Sequence, residues 1–278
     1  MDAEWGLYQR IAAAHKFPWA MTLGAIQDKN LIYQMSSKIA EDCKRMGINW
    51  DFAPVVDVNT NPNNPIIGNR SFGSEVDNVI SSALAYSNGL QDNNILAAIK
   101  HFPGHGDTST DSHLDLPVVP HQLERLNAVE LAPFKALMTK GIGGVMVAHL
   151  YVPTLESGKG IPASVSKNII TGLLKEKLGY KGLIITDALN MGAVANKYKP
   201  GELDALAFKA GLDKYNSKNP ENINNDLNND SHKLLVQNLY SNALTLLKDE
   251  QKLLPIAGKQ VYYVPLEEAP YQTFANQL

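Results

Sequence analysis

The stretch "KHFPGHGDTSTDSHLDLPVV" (100–119) holds three histidines, three aspartates, a lysine and two glycines. Only Phe102, Leu114, Leu116, Val118 and Val119 could anchor it in a core, so neither helical nor strand periodicity explains it. Gly104 and Gly106 admit backbone conformations that other residues resist, which predicts a tight loop after His101. Asp111 and His113 then stand two apart on a polar loop. An aspartate can hydrogen-bond one imidazole nitrogen and leave the other to give or take a proton near neutral pH. In the competing reading, His101 and His105 brace the loop while Asp111 and His113 are solvated. The density of titratable groups directly after an apolar run favours chemistry.

Such groups need a scaffold that brings them together. "INWDFAPVV" (48–56), "ILAAI" (95–99), "IGGVMVAHL" (142–150) and "GLIIT" (182–186) read as strands. They exit at Asp57, at Lys100 and His101, at His149 and at Asp187. Ile32, Met35, Ile39, Cys43 and Met46 recur at helical spacing before Gly47, and Ser166 caps a second helical stripe through Leu178. The stretch 121–140 is helical with a restart or kink at Pro133. Strands alternating with helices imply parallel β/α units. In a (β/α)8 barrel all strand tips share one face, and a doubly wound sheet also binds ligands at strand C-termini, so the pattern fits both. No G-x-G-x-x-G and no G-x-x-x-x-G-K-[ST] is present, which argues against nucleotide binding. Two readings stay open for several tips. Asp57 and His149 either react or support their loops, Asp187 either reacts or caps the next helix, and Met191 lines either a pocket or the core.

Composition removes other classes. The 278 residues are 44% hydrophobic with a net charge of −3 and no basic block, so nucleic acid and anionic membrane are poor partners. The lone Cys43 rules out an internal disulfide, and no zinc-finger spacing occurs. There is no apolar run long enough to span a bilayer and no signal peptide. The texture divides the chain into a barrel-like region 1–211, an asparagine-rich linker 212–231, and a helix with the opening of a following domain at 232–278.

"KHFPGHGDTSTDSH" resembles the signature of glycoside hydrolase family 3, specifically its β-N-acetylglucosaminidase branch. "DFAPVVDV" (51–58), "GNRSFGS" (68–74), "GVMVAHL" (144–150) and "GLIITDALNMGAV" (182–194) agree in order, and "NALTLLKDEQKLLPI" is similar to the segment that follows the barrel in longer members. The resemblance implies a (β/α)8 barrel and hydrolysis, with retention, of terminal β-linked N-acetylglucosamine from peptidoglycan- or chitin-type saccharides. It implies Asp187 as nucleophile, His113 as general acid/base partnered by Asp111, and Asp2, Arg70, Lys100 and His101 as sugar-binding residues. The usual retaining pair is two carboxylates, and a His–Asp dyad replaces one of them here. The only partner implied is a carbohydrate, without metal or organic cofactor, in a bacterial parent protein compatible with periplasm or secretion.

The barrel is expected to be incomplete, since the first and eighth strands are not evident and "FKAGLDKYNSKN" runs straight into the asparagine-rich stretch. About six strands are expected, one of them near "IPASVS" (161–166). A piece of a longer multidomain chain is the expectation. Alternative functions are a family 3 β-glucosidase, an inactive sugar-binding fragment, or a metal-dependent hydrolase using His101, His105, Asp107, Asp111 and His113.

Overall fold

The computed structural model describes residues 1–110, 112, 115–199 and 201–212. They fall in one compact unit, Met1–Tyr215. Its centre is a parallel sheet of β1 (Trp50–Asp51), β2 (Leu96–Phe102), β3 (Gly144–Val147) and β4 (Leu183–Thr186), arranged in that order. Trp50 pairs with Leu96, Ala98 with Gly144, and Gly144 with Leu183. Helices α1 (Lys29–Arg45), α2 (Val76–Gln91), α3 (Ala132–Met138) and α4 (Asn168–Lys177) each precede a strand, and α5 (Glu202–Ala210) follows β4. Spatial order follows chain order without the reversal that defines a doubly wound sheet. This is the wall of a (β/α) barrel, and the two sequence alternatives are thereby separated.

The local signals explain the elements. Asp28 caps α1 by accepting the Asn30 N–H, and Ile32, Met35, Ile39 and Cys43 form its buried stripe. Ser166 Oγ accepts the Ile169 N–H at the start of α4, as its position predicts, although this helix is widened to i→i+5 bonding. Pro133 sits in the first turn of α3, where its missing N–H costs nothing.

The strands differ from expectation in length. β1 stops at Asp51 because Pro54 has no N–H to donate; pairing resumes only as a bridge between Val55 and Lys100. β2 runs further than 95–99 and carries Lys100 and His101 within it, both buried. The expected strand at 161–166 is absent. Ala163–Val165 form a single 3-10 turn instead, and Ser166 is already committed to capping α4. The described residues therefore contain four strands rather than about six. The asparagine-rich linker and the C-terminal helix and strand expected beyond it lie, from residue 213 on, outside the described residues.

The core runs between the sheet and its helices, with Ile39, Tyr86, Leu90, Ile99, Phe102, Phe134 and Val145 buried together. Each such side chain contributes roughly 1.5–3 kcal/mol by leaving water. Helices α1 and α2 approach closely at Gly89, where a Cβ would lie 2.0 Å from Ser36 Oγ and 2.4 Å from the Tyr33 carbonyl oxygen. Gly172, inside α4, faces nothing nearer than the Lys167 carbonyl oxygen at 3.9 Å. Gly89→Ala should therefore destabilise by about 1–3 kcal/mol through overpacking, despite alanine's better helix propensity. Gly172→Ala should instead gain up to about 1 kcal/mol. Urea denaturation of the two variants checks the opposite signs.

Candidate active site

The site begins with Asp57, which leaves the β1 segment fully buried beneath the sheet tips. Its Oδ1 accepts the His105 N–H at 2.6 Å and its Oδ2 accepts from His101 Nδ1 at 2.6 Å. The backbone N–H of His101 adds a weaker donor at 3.2 Å. One carboxylate thus fixes the end of β2 and the turn after it. Burial by itself raises the Asp57 pKa, but the His101 imidazole and then His105 outweigh it, and the net direction is down. Gly106 completes the turn, since a Cβ there would lie 1.9 Å from the Val58 carbonyl oxygen.

His101 Nε2 lies 3.2 Å from Arg70 Nη2. A guanidinium only donates, so Nε2 accepts and the ring proton sits on Nδ1, facing Asp57. Arg70, in the turn Gly68–Arg70, also grips Glu4 with two parallel bonds, Nη2 to Oε1 at 2.8 Å and Nε to Oε2 at 3.0 Å. Lys100 Nζ reaches the same Glu4 Oε1 at 2.7 Å and Asp2 Oδ1 at 2.9 Å. Asp2 further pairs with Arg10 at the cavity rim. Burial pushes the Glu4 pKa up, yet Lys100 and Arg70 pull it well below the carboxylate range. The same partners hold Lys100 and Arg70 above their ordinary values against the effect of burial.

Asp187 follows β4, its N–H donating to the Val147 carbonyl and its Oδ1 accepting the Ala188 N–H at 2.8 Å. The next helix begins at Gly192 with Met191 as its cap residue, so Asp187 does not cap it. His149 lies behind this turn, with Nε2 donating to the Ala188 carbonyl at 3.0 Å and Nδ1 2.7 Å from Ser164 Oγ. Asp187 is lowered in pKa; burial opposes this, while His101, the Ala188 N–H, His149 and Lys100 produce it.

Asp2, Arg70, Lys100, His101 and Asp187 therefore line one cavity of about 320 Å³, as their types predict. Met191 lines it too while being 7% exposed, so both readings of that residue hold. Asp57 and His149 are supports. Asp111 and His113 lie outside the described residues; Ser112 between them is placed, its Oγ 3.3 Å from His105 Nε2. Burial first, then His101, pushes the His105 pKa down to about 4. Sequence reasoning missed Glu4, the hub of the ion network, although it shares the "DAE" triplet with Asp2. The described members of the metal alternative do not converge: His101 is spent on Asp57 and His105 on Thr108 and Ser112, while Asp107 turns to His121. Asp107, His121 and Glu130 are the described group that could ligate an ion, within 4.8 Å of one another, but the Arg125 guanidinium already sits against both carboxylates.

The family model "Glycosyl hydrolase family 3 N terminal domain" matches residues 1–243. Beta-hexosaminidase A of Pseudoalteromonas piscicida is 38% identical over 228 residues, which are 77% of this chain and 38% of that protein. Beta-hexosaminidase LpqI of Mycobacterium tuberculosis is 37% identical over 202 residues, covering 70% of this chain and 51% of that one. The structure of a glycoside hydrolase family 3 beta-N-acetylglucosaminidase from Paenibacillus sp. superposes with a TM-score of 0.74 at 43% identity, over 76% of this chain and 40% of that chain. The chain spans 38–60% of the length of the curated relatives it matches first.

Because Asp57 and Glu4 are depressed in the folded state, the stability they contribute is complete above their unfolded pKa values near ~4 and is lost as pH falls through the lower native values. Asp57→Asn should cost about 3–5 kcal/mol at pH 7, the usual penalty for removing one partner of a buried pair. It should also flatten the acid limb of a urea-denaturation series run from pH 7 to pH 3. Parallel acid limbs in variant and wild type would show that Asp57 does not drive the acid loss.

Proposed function

The chain belongs to glycosyl hydrolase family 3, and from that premise we propose that its cavity performs the chemistry of a retaining exo-β-N-acetylglucosaminidase on peptidoglycan- or chitin-type saccharides. One observation carries the reading: an ionised Asp187 shares a cavity of about 320 Å³ with Arg70, Lys100 and His101. A carboxylate surrounded by donors suits attack on an anomeric carbon, because the donors hold sugar hydroxyls while the carboxylate meets the developing positive charge. The names of the relatives, beta-hexosaminidase and beta-N-acetylglucosaminidase, favour N-acetylglucosamine over glucose.

In the first step Asp187 forms a bond to C1 as the glycosidic C–O bond breaks, and His113, as imidazolium, gives its proton to the departing oxygen. In the second, neutral His113 takes a proton from water, the oxygen of which attacks C1 and releases Asp187. Two inversions give net retention. Asp111 holds the imidazole through its other nitrogen. Asp2 and Lys100, paired with each other in the cavity wall, accept from and donate to hydroxyls at the non-reducing end.

In the full-length protein, Asp187→Ala should abolish release of nitrophenol from the β-N-acetylglucosaminide, and the wild type should act far more slowly on the matching β-glucoside. Ordinary turnover by the variant would remove Asp187 as nucleophile. His113→Ala should lose roughly 10²–10⁴ in kcat/KM on a disaccharide, the span that general acid catalysis usually supplies, and much less on a nitrophenyl glycoside whose aglycone leaves unaided. Azide should partly restore the latter by attacking the accumulated glycosyl–enzyme. Equal losses on both substrates with no azide effect would place the acid elsewhere.

A further inference from the structure

The loop that carries Asp111 and His113 follows β2, and its roots touch, Asp107 on the outgoing side against His121 on the returning side. His121 Nε2 donates to Asp107 Oδ2 at 2.6 Å. Arg125 stands behind the pair, 3.8 Å from the same Asp107 oxygen, and donates to Glu130 Oε1 at 3.1 Å and to Thr60 Oγ1 at 3.2 Å. Glu130 is buried against Gly104, where a Cβ would lie 2.7 Å from the Glu130 Cβ. The His121 carbonyl accepts from Thr154 Oγ1 at 2.6 Å. Each root is thus tied both to the other and to the body of the unit.

Between the roots the ties are of unequal kind. The returning strand of the loop is stitched by backbone bonds, Val119 N–H to the Tyr151 carbonyl and Tyr151 N–H to the Pro117 carbonyl, both at 2.9 Å. The outgoing side has one backbone bond beyond its root, the Ala193 N–H to the Ser112 carbonyl at 3.2 Å, and otherwise depends largely on side chains. Asn61 Nδ2 donates to the Thr108 carbonyl at 3.0 Å, Asn64 Nδ2 to the His105 carbonyl at 2.8 Å, and Asp107 to His121 closes the neck. Ser109 and Thr110 beyond them are exposed. A loop closed at its neck keeps its tip within a smaller volume than one hinged at a single root, and the reach of a general acid is sensitive at about the 1 Å level.

We propose that Asp107 and His121, braced by Arg125 and Glu130, form a clasp that sets the reach of the acid/base loop, with His121 a positioning residue that touches no substrate. The proposal rests on the reading of His113 as the acid. None of the four clasp residues lines the cavity that holds Asp187, so loss of the clasp is expected to act on proton delivery and to leave nucleophilic attack in place.

In the full-length protein, His121→Ala should lower kcat/KM on a disaccharide by about 10- to 100-fold while changing the nitrophenyl glycoside by less than about threefold. His121→Gln, the amide nitrogen of which occupies the place of Nε2, should recover most of the loss. Hydrogen–deuterium exchange gives a readout that does not pass through catalysis: in His121→Ala the amides of residues 108–116 should exchange faster, with those of β2 unchanged. Unaltered exchange in that segment would overturn the clasp whatever the enzyme does. Faster exchange with equal losses on both substrates would also overturn it as a positioning device. If His113→Ala itself showed no leaving-group dependence, the acid assignment would be the part at fault, and the exchange result would still decide whether the clasp restrains the loop.

Discussion

Glu4 is the residue on which the site turns. A carboxylate 7% exposed holds a guanidinium and an ammonium at 2.8 and 2.7 Å, and those cations come from separate parts of the chain. Arg70 belongs to a short turn and Lys100 to β2, while Glu4 lies in the N-terminal loop. Desolvating three charges is costly, and such clusters contribute little net stability compared with apolar packing of the same volume. Their return is geometric. With Glu4 in place, each cation has one orientation, and its remaining donors face the cavity instead of solvent.

The same constraint propagates through Arg70 to His101 and through His101 to Asp57. Arg70 can only donate to His101, so the imidazole must present its lone pair to the guanidinium and its proton to Asp57. Asp57 then holds the backbone of His105, and His105 meets Ser112 in the loop above. A chain of hydrogen bonds with a defined direction therefore runs from the N-terminal loop to Ser112 in the loop after β2. Asp187 is held separately, by its own Ala188 N–H and by His149 gripping the Ala188 carbonyl. Asp187 and the cluster around Glu4 line one cavity, yet their hydrogen-bonded supports are separate.

Much of this was legible in the residues and some of it was not. The titratable groups after apolar runs were visible in the sequence, and Asp187 directly follows β4 and His149 lies just past β3; Lys100 and His101 instead lie within β2, and Asp57 lies beyond the short β1. The short motifs add an expected role for Asp187, which polarity alone left open. Glu4 escaped because a carboxylate three residues into a loop has no periodicity to mark it; its importance comes from Lys100 and Arg70, which are 96 and 66 residues away. The strand expected at 161–166 failed for a local reason, since Pro162 and the cap at Ser166 leave too few residues between them for anything but one turn. The barrel order itself was a matter of tertiary pairing, and only the spatial order of β1 to β4 distinguishes it from a doubly wound sheet.

Electrostatics narrow the source of the catalytic proton. Among the described groups lining the cavity, Asp2, Glu4 and Asp187 are all held below their ordinary pKa values and are carboxylates at neutral pH, unable to act as acids. Lys100 and Arg70 are held above theirs and keep their protons. His105, at about 4, is a neutral imidazole at that pH, and His101 has both ring nitrogens committed, one to Asp57 and one to Arg70. Retaining hydrolysis needs one group that exchanges a proton twice per turnover near the working pH. Under the proposed mechanism that group is none of Asp2, Glu4, Asp187, Lys100, Arg70 and His105, which the network holds in one charge state near neutral pH. The proton carrier has to be electrostatically apart from that network while still reaching the scissile oxygen. The roles proposed for Asp187 and for the "DTSTDSH" segment divide attack and proton transfer in that way.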